Sequence, residues 1–283
     1  MNQLWMTSSF QLLKVVKRMI PTLFFKTLRD RWRGSFGWGI GLVAMTTVLV
    51  SVYPTIRSSA SALSTFVANY PEALRQIFRI SDYTSGAGYL SSELFSFMVP
   101  LMFVAIGISW GASTTAQEEE NRTADLLLTL PISRSKILAT KVAAAISVQI
   151  VLAAVLYIAL AVSVGVVSLP IGASKIAAAC LSCALIGIMF NSVATFLGAA
   201  LGKKSASVGG AIALALAGFL FYTLAPLVST FDRVKLINPF QWTLGSEPLT
   251  RGINFGKVGL ILFVTLTIYA VSISVFRRRD IQS

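Results

Sequence analysis

LATKVAAAISVQIVLAAVLYIALAVSVGVV, residues 138–167, decides the fold class of this chain. It carries one charge, Lys141, near its start, and one large neutral polar side chain, Gln149. A helix of about 20 mostly apolar residues spans the hydrocarbon core of a bilayer. Five further stretches read the same way, roughly 35–55, 94–116, 173–201, 206–229 and 257–276, and none has a charged residue near its centre. The extra length of 138–167 and 173–201 permits tilt or extension beyond the bilayer without fixing an angle. The expectation is an all-α integral membrane protein: residues 1–34 form an interfacial segment, and 35–283 form a domain of six transmembrane helices.

Composition agrees. The 283 residues are 55% hydrophobic and 12% charged, with a mean hydropathy of +0.75, whereas soluble domains are roughly a quarter charged. A net charge of +13 would suggest nucleic acid as the partner of a soluble protein. Here lysines and arginines gather at the ends of apolar segments, so the charge reads as topology and no nucleic-acid partner is expected. Sixteen of them lie in the N-terminal segment, in the loops after the second and fourth spans, and in the tail, against eight on the opposite side. The positive-inside rule places both termini and the loop after the second span in the cytoplasm, as in a multi-pass protein of the cell membrane.

Residues 9–33, SFQLLKVVKRMIPTLFFKTLRDRWR, alternate basic and bulky apolar residues. That suits a helix lying in the membrane interface, broken or kinked at Pro21, and it equally suits a plain juxtamembrane anchor. A signal peptide is not expected, because the first span begins only near residue 35 and no compact cleavage pattern precedes it. Gly37 with Gly41, and Gly198 with Gly202, put small residues on one helix face, a spacing that admits close helix packing. Residues 230–256 are external by this topology and mix Phe231, Phe240 and Trp242 with turn residues. Short helices folded back against the membrane are the favoured reading over a loop resting on headgroups.

Chemistry is largely absent. The chain has no histidine. Cys180 and Cys183 lie in an apolar helix with no second pair, as small hydrophobes rather than metal or redox ligands. GAALGKKS, residues 198–205, has three residues between glycine and the GK pair and a second lysine where a phosphate loop needs Ser or Thr. No charged residue sits near the centre of a span, which argues against an ion-coupled carrier. Gln149 and Asn191 are the two large polar groups at membrane depth; they are candidates to line a pathway or to bond between helices. No enzyme, metal site or cofactor is expected in this chain.

One loop remains: QEEENRTADLLLTLPISRSK, residues 117–136. Three acids suit a helix N-terminus, Leu126, Leu127 and Leu130 share a face, and Pro131 ends the element. Ser133 or Ser135 can cap the helix that follows. A membrane-surface stripe and a docking element both fit those features. The run from Glu119 to Lys141 resembles the cytoplasmic coupling segment of ABC-2 type transporter permeases, in which many members have glycine where Arg122 precedes Thr123. NPFQW and FRRRDI are similar to that family's last external loop and basic tail. The resemblance implies a permease subunit of an ATP-driven exporter, with a cytoplasmic coupling helix that docks on a separate ATPase. It places Glu118, Glu119, Glu120, Arg122, Thr123 and Asp125 nearest that partner, with Leu126, Leu127, Leu130 and Pro131 seating and ending the helix. It further implies two ATPase subunits carrying ATP and Mg, and a second permease subunit, identical or homologous. A channel that uses no ATP, or an anchoring subunit, is the alternative. Nothing in the sequence selects a substrate.

Overall fold

The computed structural model describes residues 20–59, 69, 71, 72, 75, 85–115, 132–227 and 232–278. Residues 20–30 form helix α1, and a single non-helical residue, Arg31, separates it from α2, Trp32–Ser58. Then follow α3 (Gly86–Thr115), α4 (Arg134–Val166), α5 (Ala173–Leu201) and α6 (Lys204–Leu224). Three short helices, α7 (Asp232–Lys235), α8 (Pro239–Thr243) and α9 (Pro248–Arg251), lead to α10, Phe255–Arg278. Six of these helices are long and apolar enough to cross a membrane, and no strand occurs among the described residues. The chain is therefore an all-α, multi-pass membrane protein.

The expected spans and the observed helices agree within a few residues except at two ends. α3 begins at Gly86, not near 94, because its first turns hold Ser91, Ser92, Glu93 and Ser96, which dilute the apolar signal. Ser85 starts it, its Oγ accepting the Gly88 N–H at 3.0 Å, a standard N-cap. Ser91–Met98 is a π-helix, and Ser96 Oγ donates to the Ser91 carbonyl at 2.8 Å. Pro100 stands just beyond it; in a regular α-helix its ring would collide with the Ser96 carbonyl, and a widened turn relieves that crowding. α6 stops at Leu224 instead of 229: Ala225 keeps helical dihedrals and donates to Phe221 O, but Pro226 has no N–H to continue the ladder, and Leu227 turns back onto Leu224 O.

Close contacts fix the helix directions. Gly107 meets Gly187, Gly111 meets Asn191 and Gly198 meets Thr115, so α3 and α5 run parallel. Arg31 meets Ser109, Gly41 meets Met102 and Tyr89 meets Leu49, so α2 runs against α3. α5 is the hub, with 78% of its most apolar window buried against 22% for α2 and for α10. A helix that is apolar all round belongs at such a centre. Gly202 ends it in the left-handed region at φ 66° and donates its N–H to Gly198 O at 3.0 Å, a conformation glycine adopts without strain.

Residues 232–254 fold back into the bundle. Asn238 caps α8 with its Oδ1 on the Phe240 N–H and donates its Nδ2 to the Gly218 carbonyl of α6 at 2.8 Å. Phe240 is fully buried, its ring 5.6 Å from Phe190 and 5.5 Å from Phe219. Phe190 lies seventeen residues into α5, about 25 Å along its axis, so the segment reaches well inside the bundle.

Candidate functional site

A line of side-chain hydrogen bonds joins three helices through the backbone of α3. Gln149 Nε2 of α4 donates to Phe103 O at 3.0 Å, and Asn191 Nδ2 of α5 donates to Gly107 O at 3.0 Å. Near the end of α3, Thr114 Oγ1 donates to Gly111 O at 2.6 Å, and the Thr195 hydroxyl of α5 lies 3.4 Å from the same carbonyl and 3.3 Å from Thr114 Oγ1. Tyr269 of α10 closes the set, its hydroxyl donating to Asn191 Oδ1 at 2.7 Å. The acceptors recur every four residues on one face of α3, the face where Gly107 and Gly111 leave the backbone bare. A Cβ added at Gly107 would overlap the Gly187 carbonyl oxygen, and one at Gly111 would overlap that of Asn191. Gly187 in turn makes room for the Gln149 amide, since a Cβ there would stand 2.8 Å from its Oε1.

Gln149 and Asn191 are thus fully buried and bonded to a neighbouring helix within the one chain. The glycines singled out by spacing divide. Gly198 is a close-approach position, where a Cβ would overlap Thr115 Oγ1; Gly202 is the helix cap; Gly41 lies near Met102; and Gly37 has no neighbour within 4 Å. Gly107, Gly111 and Gly187 share the tight packing with Gly198. The spacing within GISWG, residues 107–111, is the signal that points to the first two.

The acid-headed segment hangs from this clamp. Glu118, Glu119, Glu120, Arg122, Thr123, Asp125, Leu126, Leu127, Leu130 and Pro131 lie outside the described residues. Their flanks are fixed: α3 ends at Thr115, and α4 starts after Ser133, whose carbonyl accepts the Lys136 and Ile137 N–H groups. Ser133 is the N-cap residue by backbone geometry, without a side-chain cap bond. Ile132 and Lys141 are buried at the base of α4. Both helices that carry the loop are bonded in the same ladder, α3 to α5 and α4 to α3.

A second polar contact fastens the N-terminal helix. Arg31 donates from Nη1 to Ser109 O at 3.1 Å and from Nη2 to Ser109 Oγ at 2.9 Å, and its guanidinium lies 4.8 Å from the Trp110 ring. Burial lowers its pKa from the ordinary arginine value, although the group stays protonated in proteins. In the sequence Arg31 is one N-terminal base among several, and nothing local sets it apart.

Five apolar helices around a sixth, the buried α5, with a polar ladder through the bundle, define a membrane-embedded helical protein. A family model described as ABC-2 family transporter protein matches residues 22–281, and the chain belongs to that family. No individually curated protein matches it.

Proposed function

We propose that the chain is the membrane-spanning permease subunit of an ATP-driven exporter, coupled to a separate ATPase through residues 117–131. Two such subunits form the pathway at their interface, and two ATPase subunits carry ATP and Mg. Both termini and the coupling segment face the cytoplasm. The observation that carries this reading is the mounting of the acid-headed loop. It joins α3 and α4, which the buried ladder ties to α5, so a push on the loop moves a rigid three-helix unit instead of a loose hairpin. Gln149 and Asn191 then serve as bonds that make the unit rigid, and the pathway lies elsewhere.

Reversing Glu119 and Glu120 to lysine tests it. In membranes containing the complete complex, Glu119→Lys with Glu120→Lys is expected to leave the six-span protein inserted while ATP hydrolysis no longer responds to the permease. An unchanged response in that double variant would sink the docking assignment.

A further inference from the structure

Beside the ladder, an apolar groove of about 650 Å³ runs between α2 and α4, lined by Leu28, Trp32, Phe36, Gly39, Val151 and Leu152 among others. Its two hydroxyls are already engaged: Ser35 Oγ donates to Arg31 O and Ser147 Oγ donates to Ala143 O. From Trp32 to Val43 it follows α2 for about 17 Å, close to the roughly 15 Å of one leaflet's hydrocarbon.

Arg31 stands at one end of this groove. It sits in the chain between the lining residues Leu28 and Trp32, and its carbonyl accepts the hydroxyl of the lining Ser35. Two of its five N–H donors go to Ser109, and among the described residues no carboxylate lies within ion-pair distance of it. Burying a cation is costly unless it is paired, and a guanidinium matches a phosphate with paired hydrogen bonds. Lys26, Arg29 and Arg33 are exposed around the same end and add positive potential, which draws anionic lipid to a membrane surface at about 1 kcal/mol per basic residue.

We propose that the α2–α4 groove and Arg31 together bind one anionic phospholipid, with its phosphate on the guanidinium and an acyl chain along Trp32, Phe36 and Gly39. The lipid supplies the counter-charge and fills the groove, so it fastens the junction of α1 and α2 to α3 and α4. This site is independent of ATPase coupling.

The test uses the full chain in vesicles of equal phosphatidylglycerol and phosphatidylcholine, with brominated acyl chains on one lipid or the other. Bromine quenches nearby tryptophan, and the Trp32 signal is taken as the difference from Trp32→Phe. Brominated phosphatidylglycerol is expected to quench Trp32 at least threefold more than brominated phosphatidylcholine. The preference should survive 1 M salt, where the screening length is about 3 Å and exposed bases lose their pull. Arg31→Gln should bring the ratio to about one, Arg31→Lys should keep part of it, and Gly39→Leu should remove it by filling the groove. Should Arg31→Gln fail to insert, the comparison of Gly39→Leu with wild type decides in its place. Equal quenching by the two lipids would overturn the proposal. So would a preference unchanged in Arg31→Gln or lost in salt, each of which would mean generic surface attraction, and so would stronger quenching by the zwitterionic lipid.

Discussion

Gly107→Ala and Gly37→Ala are the same chemical change on two apolar helices, and the structure predicts opposite outcomes. At Gly107 the new methyl meets the Gly187 backbone and comes within 3.1 Å of Gln149 Nε2. Backbone cannot rotate away, so α3 and α5 must separate, an overpacking cost of about 1–3 kcal/mol. Separation also stretches the bonds from Gln149 to Phe103 O and from Asn191 to Gly107 O, together about 1 kcal/mol at the usual value for such bonds in membranes. Alanine's better helix propensity returns up to about 1 kcal/mol. The expected net is a loss of about 1–3 kcal/mol. At Gly37 nothing lies within 4 Å, so only the propensity gain applies, and the chain should be unchanged or about 1 kcal/mol more stable. Reversible detergent unfolding of the purified chain, followed by far-ultraviolet circular dichroism, measures both. A Gly107→Ala protein as stable as Gly37→Ala would refute the close approach of α3 and α5.

Other perturbations probe separate joints. A double-mutant cycle of Asn191→Leu and Tyr269→Phe in the same assay should give a coupling of about 0.5–1.5 kcal/mol, since their side chains share the 2.7 Å bond; additivity would mean the bond does not form. Phe240→Ala should cost about 3–5 kcal/mol, because its ring is fully buried against Phe190 and Phe219; a loss under about 1 kcal/mol, far below the usual cost of such a truncation, would place the 232–254 segment outside the bundle. Cysteines introduced at exposed Ser174 and Ser205 should label from opposite sides with an impermeant maleimide in sealed cells, Ser174→Cys from outside and Ser205→Cys only after lysis. Cys180 and Cys183 are buried and should stay silent.

Hydropathy alone carried the six spans, because a bilayer demands length and apolarity and leaves little choice of structure. It failed at residues 86–93, where serines and Glu93 ride in the wall of the bundle, and at the end of α6, where Pro226 outweighs the apolar run. The interior was less legible. Gly37 with Gly41 and Gly107 with Gly111 share one spacing, and which pair touches a neighbour depends on how α3 and α5 lie together, a long-range fact no local pattern holds. The folded-back segment announced itself better: Asn238 followed by Pro239 is a cap and first-turn signature that sequence states directly. Arg31 differs from Arg29 and Arg33 in standing at the break between α1 and α2 and reaching Ser109 of α3, a placement that its own residue type does not encode. The acid-headed segment lies outside the described residues; its reading as a helix rests on the sequence pattern, and its assignment as a coupling element rests on family resemblance.

Coupling to a separate ATPase is tested most directly by purifying the tagged chain from its native membrane in gentle detergent, with quantitative mass spectrometry of what accompanies it. The expected companion is a P-loop ATPase in one-to-one ratio with the permease, lost when Glu119 and Glu120 are reversed to lysine. An intact six-span protein that retains its lipid and brings no ATPase would contradict that coupling.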